Sequence, residues 1–412
     1  MTAIYKLDNK VKHYAWGSPE WIPRLLGKEN PKGEPWAELW MGTHSGGPSM
    51  VTTGEGKTIP LGEIAEIPFL FKFLAAGSPL SIQAHPNRDQ AREGFKRENK
   101  AGIPLSAPER NYRDPNHKPE ILRALSPFRA MAGFREREET RRLLSLVEGT
   151  KNLLRALEGG YGQLLSALFS LDGEERNTLT GEILDLADQA RRAGTGGTYG
   201  AYAPDEAKAL GLCGEFARHY PGDPGILSPL YLNLLDLTPG EAIFIPAGIL
   251  HAYVEGFAME CMANSDNVLR GGLTSKRVDP EELLSILRLD PFKPEVLNPL
   301  ELAPGCYLYP APREEFALYL LDGGAEAVGD IPRGVELEAP EPGIITVSEG
   351  AVECRVWKDG DGPRLKLNPG EAAYVGRREP GERLILSGQT SKRFTAFAAL
   401  GPDAPGDRSQ DT

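Results

Sequence analysis

A twelve-residue segment delivers one histidine to the end of an apolar, strand-like run. It runs from Gly240 to His251 and contains the turn Pro246-Ala247-Gly248 shortly before the imidazole. A glycine followed by alternating apolar residues favours a strand that crosses a sheet, and the proline–glycine turn would bring the histidine to the edge of that sheet. Imidazole is the commonest side-chain ligand for metal ions. Because a metal site needs several ligands, the others must come from elsewhere in the chain.

Two upstream segments supply further candidate ligands. Alternate side chains of an extended strand share one face, so Ser81, Gln83 and His85 are predicted to project together. The same parity puts Lys118 and Glu120 on one side of their segment. The segments together offer two imidazoles, one carboxylate and one side-chain amide: Gln83, His85, Glu120 and His251. This set suits Zn²⁺, and Fe²⁺, Mn²⁺ or Co²⁺ would fit nearly as well by ligand type.

Two resemblances emerge from these motifs. The spacing of glycine, proline, glycine and histidine between residues 240 and 251 resembles the second metal-binding motif of cupins, small β-barrels that hold a metal in their mouth. Five stretches resemble signatures of the type I mannose-6-phosphate isomerase family: YAWG at 14–17, PFLFK at 68–72, SIQAHP at 81–86, YRDPNHKPE at 112–120 and NSDNVLRGGLT at 264–274. The likeness covers about residues 5–280 and continues more weakly to the end. Five motifs in the family's order are far more specific than one cupin motif.

The resemblance assigns the metal ligands more closely than strand parity does. The family has glutamine where the familiar cupin pattern has histidine, which favours Gln83 as a ligand over a role in orienting His85. The family pattern also favours metal binding by Glu120 over an ion pair with Lys118. His117 lies an odd number of positions from Glu120 and is expected to face away. The resemblance therefore implies one Zn²⁺ per chain, held by Gln83, His85, Glu120 and His251.

The substrate implied by the resemblance is a sugar phosphate, which an acidic chain of net charge −12 must bind in a local basic pocket. By resemblance, Arg270 lies near the reacting carbons, and Lys276 with Ser81 is suited to the phosphate. Trp16 and Asp266 complete the predicted substrate-binding residues. Glu38 and Trp40 could also line the pocket.

The implied reaction interconverts mannose 6-phosphate and fructose 6-phosphate, moving a proton between C2 and C1 through a cis-enediol. We predict Arg270, Lys118 and Glu260 as catalytic residues. The base is left open among Lys118, Glu260, Asp266 and a metal-bound hydroxide, with Glu260 and Lys118 ranked first. Gly256 could introduce a bulge between His251 and Glu260, so parity does not decide whether Glu260 faces the metal.

Two other functions are compatible with the same ligands. Two histidines and a carboxylate can also form an Fe(II) cupin oxygenase, and a cupin can bind a sugar phosphate without turnover. The cations Lys118, Arg270 and Lys276 favour a phosphorylated, redox-neutral substrate over an oxygenase. No expected position is vacant, which favours an enzyme over a binding module.

Composition limits the class of protein. The 412 residues exceed one ordinary core and predict two or three domains. No apolar run approaches the ~20 residues of a membrane span, and the first residues lack the apolar core of a secretory signal. Four widely spaced cysteines favour reduced thiols, and the negative charge argues against nucleic acid. We expect a cytoplasmic monomer without membrane contact, with a weak homo-oligomer left open.

The predicted fold is mainly β with a helical insert: a metal-binding cupin (jelly-roll) barrel plus a second, metal-free cupin-like barrel. The second barrel is indicated by an internal echo, because LTPGEA at 237–242 recurs as LNPGEA at 367–372 without a following histidine. The predicted divisions are a discontinuous catalytic cupin domain at 1–135 and 221–290, a helical insert at 136–220, a C-terminal cupin-like domain at 291–400 and a disordered tail at 401–412.

Overall fold

The computed structural model describes residues 2–195, 202–312, 314–323, 334–358, 362–388 and 393–401. The predicted disordered tail lies outside these residues except for Gly401. Most of the regular structure is β. The strands are β1 Ile4–Asp8, β2 Lys10–Lys12, β3 Glu38–Gly42, β4 Met50–Thr52, β5 Thr58–Pro60, β6 Phe69–Ala76, β7 Ile82–Ala84, β8 Glu120–Ala124, β9 Phe128–Phe134, β10 Leu232–Leu237, β11 Ala242–Ile245, β12 His251–Ala263, β13 Leu269–Gly272, β14 Val296–Leu297, β15 Leu300–Ala303, β16 Cys306–Leu308, β17 Ala317–Gly323, β18 Val335–Leu337, β19 Gly343–Glu349, β20 Val352–Trp357, β21 Arg364–Leu367, β22 Ala372–Val375, β23 Arg383–Gly388 and β24 Phe394–Leu400.

Helices are concentrated between the two halves of the predicted catalytic domain. The α-helices are α1 Trp21–Leu25, α2 Arg88–Lys100, α3 Arg137–Leu144, α4 Lys151–Glu158, α5 Tyr161–Phe169, α6 Gly173–Thr195, α7 Pro204–His219 and α8 Pro280–Ile286. Short 3₁₀ turns occupy Leu61–Glu63, Glu148–Thr150 and Pro224–Leu230. No helix within the described ranges is both long and apolar enough to cross a bilayer.

Strand β12 organises the sheet that carries the site. Its first residues pair with β7 and β9, and its later residues pair with β6 and β8. The register against β9 shifts between Tyr253 and Glu255, and the following Gly256 has a φ of 133°. A Cβ at Gly256 would lie 2.6 Å from Phe128, so this position requires glycine. The irregularity reverses side-chain parity along β12, which answers the question that the sequence left open for Glu260.

Strand β6 shows how the sequence builds two buried faces. Its odd positions, such as Phe71 and Phe73, pack in a core shared with Ile344 and Phe397 of the C-terminal segment. Leu74 lies on the other face, in the interior cluster that also contains Tyr253. A strand buried on both faces is expected to be apolar throughout, and β6 is apolar apart from one lysine.

The helices support strand β7 from outside. Ile82 and Ala84 belong to the cluster formed with α3 to α7, which also includes Leu250 and Leu269. Because neighbouring residues of a strand point to opposite faces, this packing turns Gln83 towards the sheet interior. The helical layer thereby fixes the orientation of the strand that precedes His85.

The N-terminal strand is part of the C-terminal sheet. The nine-stranded sheet has the order β15-β16-β17-β24-β19-β22-β1-β4-β5, with Ile4 opposite Val375. It packs on a four-stranded sheet, β18-β23-β20-β21, through a separate apolar core. Both copies of the sequence echo form a turn before a strand, with positive φ at Gly240 and Gly370. The second copy leads into β22, which pairs with β1 and β19.

The prediction of a mainly β protein with helices is confirmed. Closed barrels are not found: in the described residues the strands form three open sheets, and the site-bearing sheet ends at the short strands β14 and β2. The domain boundaries remain predictions. The cysteines that we expected to be reduced are buried and unpaired: Cys213, Cys261, Cys306 and Cys354.

Candidate active site and metal centre

Two histidines and a glutamate converge in the interior of the sheet. Glu120 Oε1 lies 3.2 Å from His85 Nε2, and Glu120 Oε2 lies 3.4 Å from His251 Nε2. All three side chains are at most 1% exposed. His85 directly follows β7, Glu120 opens β8 and His251 opens β12. The ligating atoms are close enough to one another to hold one metal ion.

Backbone carbonyls fix both imidazoles with the same nitrogen facing the carboxylate. His85 Nδ1 lies 2.7 Å from the Asn267 carbonyl, and His251 Nδ1 lies 2.9 Å from the Ile249 carbonyl. A carbonyl can only accept, so each Nδ1 carries a proton, and each ring turns its Nε2 towards Glu120. Among the described residues, His251 Nε2 is buried without a hydrogen-bond partner. Such an orphaned atom facing a carboxylate suits a cation between them.

The charges of this group match a metal site. Burial, with Lys118 nearby, lowers the pKa of His85 to about 4, so its imidazole is neutral at physiological pH. Burial alone would raise the pKa of Glu120, but Lys118 and the imidazoles outweigh it and hold that pKa well below its usual range. Lys118 Nζ donates to Glu120 Oε1 at 2.6 Å, and the Tyr253 hydroxyl donates to Oε2 at 3.0 Å. The carboxylate is therefore ionised and fully buried.

Gln83 connects the triad to Arg270. Strand β7 lies between β12 and β13, and Gln83 is directly opposite both His251 and Arg270. Directly opposed residues of antiparallel strands project to the same face. The amide and the guanidinium therefore extend the row of polar groups that begins at His251.

A second buried group contains a lysine that sequence reasoning missed. Lys72 Nζ lies 3.0 Å from Glu38 Oε1 and 2.5 Å from Glu260 Oε2, and all three side chains are at most 7% exposed. Burial opposes the charge on Lys72, but the two carboxylates outweigh it and raise its pKa. Burial raises the pKa of Glu260, although Lys72 acts in the opposite direction. Trp40 Nε1 donates to Glu38 at 2.7 Å.

The group of Lys72, Glu38 and Glu260 faces the triad of His85, Glu120 and His251. In the pairing of β12 with β8, Met262 is opposite Glu120. Glu260 lies two residues from Met262 on the same strand and therefore shares its face. A lysine alone in an apolar strand was the signal that could have identified Lys72.

Sequence comparisons identify the family. The model "Phosphomannose isomerase type I, catalytic domain" matches residues 4–137. Mannose-6-phosphate isomerase of Salmonella typhimurium is 38% identical, with 91% of this chain and 95% of the relative covered. The Escherichia coli enzyme is 37% identical over the same shares. The chain belongs to the type I mannose-6-phosphate isomerase family. The predictions of the family and of an isomerase are confirmed.

Solved structures agree with this assignment. The mannose-6-phosphate isomerase of Salmonella typhimurium bound to its substrate and zinc matches with a TM-score of 0.80 and 36% identity. The match covers 97% of this chain and 99% of that chain. A zinc-bound holo structure matches with a TM-score of 0.80, 35% identity and the same coverage.

Arg113 joins Arg270 and Lys276 as a third cationic side chain in the region of the predicted basic pocket. Burial and then Arg113 lower the pKa of Arg270, while burial, Arg270 and Arg113 lower the pKa of Lys276. Because a like charge lowers the pKa of a basic group only at short range, Arg113 lies near both Arg270 and Lys276. Arg113 was not predicted, although its motif was recognised. Ser81 is half-buried just before β7, and its assignment to the phosphate stays a prediction.

The remaining predicted substrate residues, Asp266 and Trp16, are both partly exposed. Asp266 Oδ1 is 3.4 Å from His44 Nε2, and the Asp266 side chain is 50% exposed. The hydrogen bond to His44 is the main cause that lowers the pKa of Asp266, which makes it a weak base. Trp16 stacks on Tyr14 at a centroid distance of 5.7 Å and packs at the edge of the interior cluster.

Asn267 is a fully buried connector that the sequence did not reveal. Its carbonyl holds His85, and its Oδ1 accepts from the backbone N–H of Arg113 at 2.7 Å. Its Nδ2 donates to the carbonyls of Asp114 and Asn116, both at 2.8 Å. One side chain therefore ties the loop before Glu120 to the segment that carries Arg270. His117, expected to face away from the site, contacts Glu315 of the C-terminal segment.

Proposed function

We propose that the protein is a zinc-dependent aldose–ketose isomerase that interconverts mannose 6-phosphate and fructose 6-phosphate through a cis-enediol. The observation that carries this proposal is the buried triad of two imidazoles and one carboxylate, aligned through Gln83 with Arg270. The family membership supplies the reaction, and the substrate-bound relative supplies the substrate class.

The donor set fits one zinc ion. His85, Glu120 and His251 would hold it, with Gln83 as the fourth ligand on the same face. The orphaned His251 Nε2 supports this fit, because a buried lone pair without a donor is costly unless it binds a cation. Bound Zn²⁺ would act as a Lewis acid that polarises the carbonyl of the open-chain sugar.

Glu260 is the proposed carrier of the proton. Its carboxyl is buried with a raised pKa, which makes it a stronger base than an exposed carboxylate. It takes the proton from C2 and returns it to C1 on the same face, while the hydroxyl proton of O2 passes to O1, so the substrate is isomerised without net loss of protons or electrons. Lys72, held cationic by Glu38 and Glu260, opposes the rise that burial causes in the pKa of Glu260. Lys118 is the alternative carrier, and its contact with Glu120 ties it to the metal ligands.

Cationic side chains are proposed to bind the negative charges of the substrate. Arg270 would stabilise the negative oxygens of the enediolate, since a fixed guanidinium needs no reorganisation when that charge develops. Lys276 and Arg113 would bind the phosphate dianion together with Ser81. Trp16 and Asp266 would border the sugar at the rim. This arrangement gives an acidic chain a local basic pocket.

An Fe(II) oxygenase is the specific competitor, because two histidines and one carboxylate are also the ligand set of that class. The cationic cluster and the family membership favour the isomerase. A non-catalytic cupin that binds sugar phosphate would have the same cations but no turnover.

The deciding experiment measures fructose 6-phosphate formation from mannose 6-phosphate on chelator-stripped protein, with and without added Zn²⁺. Turnover restored by zinc supports the proposal. Turnover that is equal without metal refutes zinc dependence. No turnover in either condition refutes the isomerase, and O₂ consumption after Fe²⁺ addition then distinguishes the oxygenase from the binding module.

We further propose a cupin-type organisation for the predicted domains. The helices α3 to α7 within residues 136–220 and the two cores on either side of β6 support a catalytic cupin, a helical insert and a C-terminal cupin-like unit. Three strands of the proposed catalytic unit, β1, β4 and β5, belong to the nine-stranded sheet of the C-terminal segment.

A further inference from the structure

A second histidine–carboxylate cluster links the C-terminal segment to both segments that carry the proposed metal ligands. Arg88 Nη2 donates to Glu315 Oε1 at 2.6 Å and to Glu314 Oε2 at 3.0 Å. His117 Nε2 contacts the same Oε1 of Glu315. The side chains of Glu315 and His117 are 15% and 18% exposed, whereas that of Glu314 is 67% exposed. We call Arg88, His117 and Glu315 the Glu315 clamp.

The clamp is an ion-pair junction, although a histidine and two carboxylates could hold a metal by distance alone. The guanidinium of Arg88 already bonds both carboxylates, and its Nη2 lies 2.9 Å from His117 Nε2. A divalent ion at this position would be placed against a permanent cation. Charge balance therefore favours the arginine as the resident cation.

The arms of the clamp attach close to the proposed metal ligands. Arg88 opens α2 three residues after His85, and His117 lies three residues before Glu120. Glu315 receives both arms on one oxygen atom. The Glu315 carboxylate thus connects the segment that carries His85 to the segment that carries Glu120. The spacing of these two segments affects the distance between the two ligands.

Glu315 is itself held on a rigid support. The following residue, Phe316, is buried in the core that also contains Phe71, and Tyr309 belongs to the same core. The Tyr309 hydroxyl donates to the Gly240 carbonyl at 2.8 Å and accepts from Arg123 Nε of β8 at 3.1 Å. Burial would raise the pKa of Glu315, but His117 and Arg88 outweigh it and lower that pKa. The Glu315 carboxylate is therefore ionised at neutral pH and anchored beside the ligand-bearing sheet.

We propose that Glu315 is a positioning residue that sets the separation of the His85 and Glu120 segments, so that the C-terminal segment contributes to metal affinity and turnover. This inference rests on the proposed zinc site. It assigns to the C-terminal segment a role that no motif in its sequence indicates.

The test compares Glu315→Gln with Glu314→Gln in the full-length protein. The control removes the same charge one residue away and leaves His117 and its oxygen partner intact. The measurements are zinc affinity by chelator competition, the visible spectrum of the Co²⁺-loaded protein, kcat and KM for mannose 6-phosphate, and the melting temperature.

For Glu315→Gln we expect zinc affinity to fall about 3- to 10-fold, below the 10- to 100-fold typical of groups bonded directly to a ligand. The Co²⁺ spectrum should shift, because cobalt reports its ligand geometry. The kcat should fall by a similar factor with KM changed less than about twofold, since the phosphate subsite is separate. Glu314→Gln should stay within about twofold of wild type in every measurement.

Equal behaviour of the two variants would overturn the inference. So would a Glu315→Gln protein that melts earlier but keeps the wild-type zinc affinity and Co²⁺ spectrum, because that pattern is purely structural. If Glu315→Gln does not fold, Arg88→Gln is tested instead. It removes one of the two side chains that bind Glu315, and it must weaken zinc binding in the same way. A wild-type protein that neither binds zinc nor isomerises the sugar refutes the proposed function instead, so the two failures are distinguishable.

Discussion

Two clusters in the described part of the chain combine histidine with carboxylate in a way that could hold a metal ion, and they lie in opposite surroundings. His85, Glu120 and His251 are at most 1% exposed, with each Nδ1 held by a backbone carbonyl. The cluster of His117, Glu314 and Glu315 lies near the surface, where Arg88 joins it. In the first group Lys118 bonds one oxygen of Glu120, and His251 Nε2 faces the other oxygen without a hydrogen-bond partner among the described residues. In the second group the Arg88 guanidinium bonds both carboxylates. Residue type alone does not distinguish a metal site from an ion-pair junction; the burial of the imidazoles and an unpartnered ring nitrogen that faces the carboxylate do.

The largest effect is expected from His251→Ala. It removes one of the two imidazole donors, so metal binding and isomerase activity should be lost together. Metal content and turnover of the purified variant measure this directly. His219→Ala, at the exposed end of α7, is the matched histidine control and should behave as wild type. An active, zinc-loaded His251→Ala protein would show that the interior cluster is not the metal site.

Arg270→Ala should lower kcat by about 10²- to 10³-fold, the range for loss of a group that stabilises charge in a transition state. Zinc content should remain at the wild-type level because Arg270 is a neighbour of the ligand row and not a ligand. Arg92→Ala, at an exposed position of α2, provides the control. Near-normal turnover would exclude Arg270 from catalysis. The interior cluster would then differ from the cluster at Arg88 only in binding a metal.

Lys72→Met tests the charge balance of the interior. It leaves Glu38 and Glu260 buried without their cation, which should destabilise the fold by about 3–5 kcal/mol. Removal of the cation also raises the pKa of Glu260 further, so the acidic limb of the kcat profile should move to higher pH. Urea unfolding and a pH–rate series measure the two effects. An unshifted acidic limb would argue against Glu260 as the proton carrier.

The smallest effect concerns pH. The pKa of His85 is about 4 in the folded chain and about 6.5 when unfolded, so between these values the unfolded state binds a proton that the folded state excludes. Metal-free protein should therefore lose stability as pH falls from 6.5 to 4, at up to about 1.4 kcal/mol per pH unit from this group. Urea unfolding of wild type and His85→Gln across this range tests the sign. An equal slope in both proteins would mean that His85 is not the group responsible.

The interior cluster could be predicted because its residues lie in local motifs. The glycine–proline–glycine spacing led to His251, and strand parity linked Lys118 with Glu120, which the structure brings into contact. The same parity could not place Glu260, because the irregularity near Gly256 reverses the faces of β12. Lys72 was missed because its partners are set by the register of β6 with β3 and β12. Glu315 carries no motif, and its contact depends on the packing of the C-terminal segment.

The pairing of β1 with β22 has a consequence for biosynthesis. Ile4 is translated 371 residues before its partner Val375. At about 5–20 residues per second, the N-terminal strand waits on the order of 20–70 s for its neighbour. During that time its edge is available to other chains, and chaperone binding to the nascent N-terminus would protect it. The nine-stranded sheet can therefore be completed only after β22 and β24 have been translated, long after β1.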